Sequence, residues 1–352
     1  MSNSKKVTIA IDAMGGDLGV EMTIPGAARA LEKHSNIHFM IFGDESRIRP
    51  VLSRYPTLKT SAEIIHTDQF ISNREKPAVA LRKGRGSSMR LAINAVHEGK
   101  ADCVVSAGNT GALMAMAKMV LKCLPDIRRP AIASVMPTRD GRVVMLDLGA
   151  NLACDSEVLV QFALLGAVYS KVVDGKSNPT VGLLNVGSED VKGHEELRTA
   201  AAVLERVSFA GKYHGFVEGD DIPMGTTDVV VTDGFTGNIA LKTAEGVAKL
   251  SSMYMKDAFK SSPIAMLGGL LASCAIKRAK AKVDPRLYNG GMFLGLDGVC
   301  VKSHGGTDEV GFANALQVAY NLIDNKFNEQ VAKELENLMS QESFFTSDIE
   351  AE

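Results

Sequence analysis

The sequence predicts an α/β protein built on a mostly parallel open sheet with helices on both faces. Apolar β-type runs alternate with helical patterns, the order that parallel strands joined by crossover helices produce. Several runs are apolar throughout instead of alternating, as strands covered on both faces are. Five of them end in small polar turns: VTIAIDAMGGDLGVE at 7–21, VVSAGNTGA at 104–112, VVMLDLGAN at 143–151, LLNVGSEDVKG at 183–193 and VVVTDGFTGN at 229–238. Glycines there let main chain approach a ligand where a Cβ would collide.

In chain order, strands are expected at 7–12, 37–43, 102–106, 132–136, 143–148, 180–186 and 228–232. Helices are expected at 19–34, 77–98, 110–123, 155–172, 190–206, 236–259 and 307–340. Open parallel sheets bind ligands outside the carboxyl ends of their strands. The five turns are therefore expected to surround one cleft, with some antiparallel strands at one sheet edge. No composition shift divides the chain, so 1–340 reads as a single large domain and 341–352 as a frayed acidic tail. Residues 261–283, SSPIAMLGGLLASCAIKRAKAKV, stand apart, apolar first and basic afterwards.

Composition narrows the function. The balance of 39 basic and 41 acidic residues, with no Trp, argues against nucleic acid as a partner. Cys103, Cys123, Cys154, Cys274 and Cys300 show no C-x-x-C spacing and read as thiols of a reducing cytoplasm. MSNSKK lacks the apolar region of a signal peptide, and no apolar run reaches the roughly 18 residues a membrane span needs. The expectation is a soluble cytoplasmic protein with neither cofactor nor metal. A P-loop would need glycine where Ser170 stands, five positions before Gly175. DAMGGDLG lacks the G-x-G-x-x-G spacing, and neither H-E-x-x-H nor G-x-S-x-G occurs.

The candidate site residues follow from the turns. Asp12, Gly15, Gly16 and Asp17 form the first. Ser106, Gly108, Asn109, Thr110 and Gly111 open a helix whose free N–H groups suit an anion, although Asn109 and Thr110 also suit simple capping. Asp147 and Asn151 lie on the third turn, and Asn185, Gly187, Glu189 and Lys192 on the fourth. In the fifth, Asp233, Gly234, Thr236 and Gly237 precede Asn238 and Lys242, which share a helix face. A carboxylate and a lysine there can handle a proton and an anion, or form an ordinary surface pair. His304, in the glycine-rich SHGG, is a proton donor near neutral pH or a structural hydrogen-bonding group. Arg82, Lys83 and Arg85 form a basic cluster before Ser87, and Lys277 and Arg278 another after the apolar stretch. Both are candidate docking sites for an acidic partner, and the first suits a phosphate or a solvated helix start as well. That stretch, with Ile264, Leu267, Leu270 and Leu271, suits a dimer interface or a helix lying on anionic lipid, with a break near Gly268 and Gly269.

Taken together, DAMGGD, KPAVALR, SSM, SAGNTGA, LDLGAN, NVGSE, TDGFTGN and SHG make the chain resemble the bacterial acyl-carrier-protein:phosphate acyltransferases over residues 6–335. The resemblance implies a reaction in which inorganic phosphate and a long-chain acyl thioester of acyl carrier protein give acyl phosphate and free carrier. It also implies a three-layer α/β/α sandwich related to phosphate acetyltransferases and isocitrate/isopropylmalate dehydrogenases. A homodimer, peripheral contact with the inner face of the cell membrane and delivery to the glycerol-3-phosphate acyltransferase are expected as well. Under that chemistry SAGNTGA and Lys192 would hold phosphate, Asn238 and nearby N–H groups would receive the oxyanion, and Asp233 or His304 would manage the proton. A soluble enzyme using acyl-coenzyme A and a non-catalytic lipid-binding scaffold are the competing readings.

Overall fold

Residues 6–341 are described by the computed structural model. Eleven strands form one sheet: β1 (Val7–Asp12), β2 (Ile37–Gly43), β3 (Ala62–His66), β4 (Cys103–Ser106), β5 (Ala131–Pro137), β6 (Arg142–Leu146), β7 (Thr180–Leu184), β8 (Lys212–Val217), β9 (Val229–Val231), β10 (Gly291–Leu294) and β11 (Val299–Lys302). The helices are α1 (Val20–Lys33), α2 (Glu45–Leu52), α3 (Pro56–Thr60), α4 (Pro77–Lys83), α5 (Ser88–His97), α6 (Thr110–Leu121), α7 (Ser156–Asp174) and α8 (Glu195–Arg206). They continue with α9 (Asp221–Met224), α10 (Gly234–Lys260), α11 (Pro263–Leu271), α12 (Ser273–Lys282), α13 (Glu309–Asp324) and α14 (Phe327–Met339).

The sheet order is β3-β2-β1-β4-β11-β10-β5-β6-β9-β7-β8. One face packs on α1, α7, α13 and α14 through residues such as Ile9, Phe39, Phe162 and Phe312. The other packs on α4, α5 and α6 through Ala10, Val104, Met89 and Leu113. This is the expected three-layer arrangement. Helix α7 is long and apolar enough to cross a membrane, but every residue of Val158–Ser170 is buried in the core.

Strand direction overturns the single-cleft expectation. Strands β3, β2, β1, β4 and β11 are mutually parallel, as are β6, β9, β7 and β8. Between the two blocks, β10 is antiparallel to both β11 and β5, and β5 is antiparallel to β6. Three reversals leave the blocks pointing in opposite directions. Their carboxyl ends, and hence their polar turns, lie at opposite edges of the sheet. From β1 to β6 there are also five strand steps, roughly 24 Å sideways at about 4.8 Å each.

Elements absent from the sequence reading have identifiable causes. Strands β10 and β11 are four residues each between glycines, and β3 and β8 are partly exposed strands at the two sheet edges. The helix expected at 77–98 breaks at Gly84–Ser87, where Ser87 caps α5. The one expected at 307–340 breaks where Lys326 takes a positive φ of 53°. The acidic tail beyond residue 341 lies outside the described residues.

Helices α10 to α12 form an arm with very little buried. Only Gly234 and Gly237 of α10 are buried, and no residue of α11 or α12 is. The break falls at Ala272, not at Gly268 or Gly269. Gly269 stays helical because Phe259 of α10 packs against it; a Cβ there would sit 2.9 Å from the ring.

Candidate active site

The edge ending β1, β4 and β11 gathers the first two turns and the SHGG turn. Asp12, Ser106 and Lys302 stand side by side in register across the three strand ends. Asp12 is buried and accepts hydrogen bonds from Ser88 Oγ (2.6 Å) and Ser106 Oγ (2.7 Å). Burial pushes its pKa up against those two bonds. Gly15 does not leave room for a ligand: a Cβ would meet Gly108 N at 2.6 Å and Asp12 Oδ2 at 2.7 Å. Gly16 adopts a φ of 86° over Ala107 and the Gly305 carbonyl, and Gly111 gives way to Pro77 of α4. These glycines let the protein's own loops abut.

Asn109 is committed twice. Its Oδ1 caps α6 by accepting Ala112 N (3.0 Å), while its Nδ2 donates to the carbonyls of Asn73 (3.0 Å) and Glu75 (2.9 Å). It therefore positions the 72–75 loop and is not a free phosphate ligand; Thr110 follows it as the first helical residue. Asp17 accepts from Asn73 Nδ2 (2.9 Å), pinning the same loop. Asn109→Ala should cost about 1–2 kcal/mol of stability through the lost cap, read by denaturant titration, while leaving the KM for phosphate nearly unchanged. A tenfold rise in that KM with unchanged stability would contradict this assignment.

His304 Nδ1 accepts the Gly306 N–H (3.1 Å), so the ring proton sits on Nε2, and the side chain is exposed. Lys302 was invisible to the sequence reading because its strand was. Its Nζ donates to the Ala107 carbonyl (3.3 Å) and to that of Ser303. Burial lowers its pKa to about 8, against the pull of Asp12 and Asp17. A folded-state pKa below the unfolded one means that the folded chain binds fewer protons between pH 8 and about 10.4. The destabilisation from Lys302 is thus full below pH 8 and relieved above it. The Tm advantage of Lys302→Met over the native chain should shrink as pH rises from 8 to 10; a constant difference would refute the shift.

The opposite edge, ending β6, β9 and β7, gathers the other three turns. Asp147 is a buried hub: Oδ1 accepts from Ile132 N (2.9 Å), Gly149 N (3.3 Å) and Ala150 N (3.1 Å). Its Oδ2 accepts from Asn151 N (2.7 Å) and Asn151 Nδ2 (2.9 Å). Burial raises its pKa, opposed by these donors. Asn151 also donates to the Pro130 carbonyl (2.8 Å). Both residues hold the turn together and neither is free for phosphate. Gly234 and Gly237 bring the first turn of α10 onto this hub; at Gly237 a Cβ would overlap the Asp147 carbonyl oxygen.

Asp233 caps α10, with Oδ1 accepting Thr236 N (2.9 Å) and Oδ2 accepting Thr236 Oγ1 (2.7 Å). Both oxygens are occupied, which argues against a proton shuttle. Lys242 pairs with Glu245 at 3.0 Å on the exposed face of α10. Asn185 ties the β7 turn together, donating to the Lys192 carbonyl (3.2 Å) and accepting from Val186 N (2.8 Å). Gly187 leaves space for Glu189 and for the stem of Lys192. Cys154 borders Asp147 and Asp233, and burial followed by those carboxylates pushes its thiol up to about 12. It stays protonated and is not a nucleophile.

Three candidate side chains at this edge, Asn238, Lys192 and the exposed Glu189, have no hydrogen-bond or ion-pair partner among the described residues. Asn238 is exposed, its amide lying 3.9 Å from the position a Cβ of Gly149 would take. Lys192 is exposed and has no ion-pair partner among the described residues. The edge thus presents an amide donor on α10 and an ammonium on the β7 turn. The arm that begins at the same Asp233 cap exposes Ile264, Leu267, Leu270 and Leu271 at 84%, 58%, 69% and 79%. Those residues lie beyond the far end of α10, a helix of about 40 Å that carries Asn238 in its first turns. Beside Asn238 itself Phe235 and Ile239 are exposed. An uncharged donor, a cation and an apolar surface suit a reaction that joins an anion to a lipophilic carbonyl compound. The basic groups divide: Lys277 and Arg278 are exposed on α12, whereas Arg82, Lys83 and Arg85 are exposed at the end of α4.

The fold has solved counterparts. It is similar to the EutD phosphotransacetylase from Staphylococcus aureus, with a TM-score of 0.59 and 16% identity over 93% of this chain and 95% of that one. A phosphotransacetylase from Streptococcus pyogenes gives a TM-score of 0.62 at 16% identity, covering 90% and 94%. The architecture is therefore that of the phosphotransacetylases. In sequence, the family model described as "Fatty acid synthesis protein" matches residues 7–330. The phosphate acyltransferase of Rhodospirillum centenum is 58% identical over 337 residues, 96% of this chain and 95% of that protein. That of Paramagnetospirillum magneticum is 53% identical over 335 residues, again 95% of each. The chain belongs to the phosphate acyltransferase family and is an acyltransferase of lipid synthesis.

Proposed function

We propose that the protein moves a long-chain acyl group from an acyl carrier protein thioester to inorganic phosphate, and that it does so at the β6–β9–β7 edge. The observation carrying this reading is the pair of uncommitted donors, Asn238 and Lys192, at the root of an exposed apolar arm. Phosphate is already a nucleophile, so no serine or cysteine relay is required. Lys192 holds the dianion and offsets its charge as it approaches the carbonyl. Asn238 Nδ2 donates to the oxyanion that develops on the thioester oxygen. The tetrahedral intermediate then breaks its C–S bond. Hydrogen phosphate brings one proton, and the departing thiolate takes it, giving acyl phosphate and a free carrier thiol. With Asp233 engaged as a cap and His304 on the opposite edge, this substrate-supplied proton replaces a protein acid.

The product is lipophilic, and the arm provides its surroundings. We place its apolar face on the inner leaflet of the cell membrane, with Lys277, Arg278, Lys280 and Lys282 toward anionic headgroups. From there acyl phosphate passes to a glycerol-3-phosphate acyltransferase. Lys277 and Arg278 also suit the docking of an acidic carrier. A homodimer is part of this reading. Liposome flotation of Leu267→Glu/Leu271→Glu should fall at least tenfold while turnover of soluble substrate persists; unchanged flotation would remove the arm from membrane contact.

The reaction is tested by mixing protein, phosphate and palmitoyl-acyl carrier protein and following free thiol together with acyl phosphate. Both should appear in equal amounts and only with phosphate. Turnover confined to short acyl-coenzyme A would favour the soluble enzyme, and no turnover with either donor would favour the scaffold.

A further inference from the structure

A cluster of cations lies on the other block, at the junction of α4 and α5. Between residues 74 and 90 the chain carries Arg74, Lys76, Arg82, Lys83, Arg85 and Arg90 against one acid, Glu75, although its net charge is −2. None of these six cations has an ion-pair partner among the described residues. Arg90 is the most constrained. Its Nε donates to Asn94 Oδ1 (3.0 Å), which fixes the guanidinium plane, while its Nη1 is buried without any hydrogen-bond partner. Burial and the adjacent Arg85 guanidinium together lower its pKa. A buried N–H left unpaired beside a like charge is costly. Both costs disappear when an oxyanion bridges the two planar forks, the geometry in which guanidinium recognises phosphate. A neighbouring cavity of about 290 Å³ is walled by Lys83, Gly84 and Ser87 as well as Asp68 and Glu75, and neither Arg85 nor Arg90 lines it.

We propose that Arg85 and Arg90 hold a phosphate group at a site separate from the acyl-transfer edge. The same chemistry is offered by free inorganic phosphate and by the headgroup of a phosphomonoester lipid. To keep the substrate site silent, calorimetric titration uses the full chain in a Lys192→Ala/Asn238→Ala background. One arm titrates inorganic phosphate and the other dihexanoyl phosphatidic acid. Saturable binding is expected in at least one arm, weakened tenfold or more by Arg90→Gln and by Arg85→Gln. Binding of inorganic phosphate would identify a free-ion site, and preference for the lipid a headgroup site. Without anion, Arg90→Gln should melt no lower than its parent, because it removes an unpaired buried donor. Absence of saturable binding in both arms, or binding that both arginine variants leave intact, would overturn the site. These readouts are independent of turnover, so they stand or fall separately from the proposed reaction.

Discussion

Asn238→Ala is expected to lower kcat about 100- to 1,000-fold, the loss that follows removal of one oxyanion donor. Folding should be unaffected, because the side chain is exposed and its helix is capped by Asp233 through Thr236. The KM for phosphate should change little, since the amide acts on the thioester oxygen and not on the nucleophile. Lys192→Ala should behave differently, raising the KM for phosphate as well as lowering kcat. Steady-state kinetics against phosphate separates the two roles. Equal effects of both variants on KM alone would show that neither residue acts in the transition state.

The second large effect falls on stability. Asp147→Ala removes the acceptor for five hydrogen bonds from Ile132, Gly149, Ala150 and Asn151. The two Asn151 donors are buried and the other three are partly so. At about 1–3 kcal/mol for each buried donor left unsatisfied, the loss is a large share of the roughly 5–15 kcal/mol that keeps a domain folded. The variant should be largely unfolded or insoluble at 37 °C by circular dichroism. Asp147→Asn keeps one acceptor oxygen and should be folded with a lowered Tm. A folded, fully soluble Asp147→Ala chain with a native Tm would show that the carboxylate serves substrate and not the turn.

Much of the architecture was legible because its signals are local. All five polar turns do end strands, and the fully apolar runs at 104–105, 143–146 and 229–231 are strands buried on both faces. What separates the turns into two groups is the reversal of direction at β10 and β5, a long-range property. Strand β10 has four residues, GMFL, too few for a period to register. The glycines misled for a related reason. A position without a Cβ looks the same whether a ligand or the protein's own backbone fills the space, and at Gly15 and Gly237 the occupant is backbone. Likewise Asp147, Asn151, Asp233 and Asn109 carry the residue types of a binding site, yet their hydrogen bonds are used inside the fold. Lys302 was hidden by the short strand that carries it.

Hydrogen exchange with a non-hydrolysable acyl phosphonate tests most directly which edge performs the transfer. Binding at the β6–β9–β7 edge should protect backbone amides in 185–193 and in the first turns of α10, around Asn238. Protection confined to 13–18, 106–111 and 303–307, with the Lys192 and Asn238 segments unchanged, would place the reaction at the β1–β4–β11 edge and contradict the account.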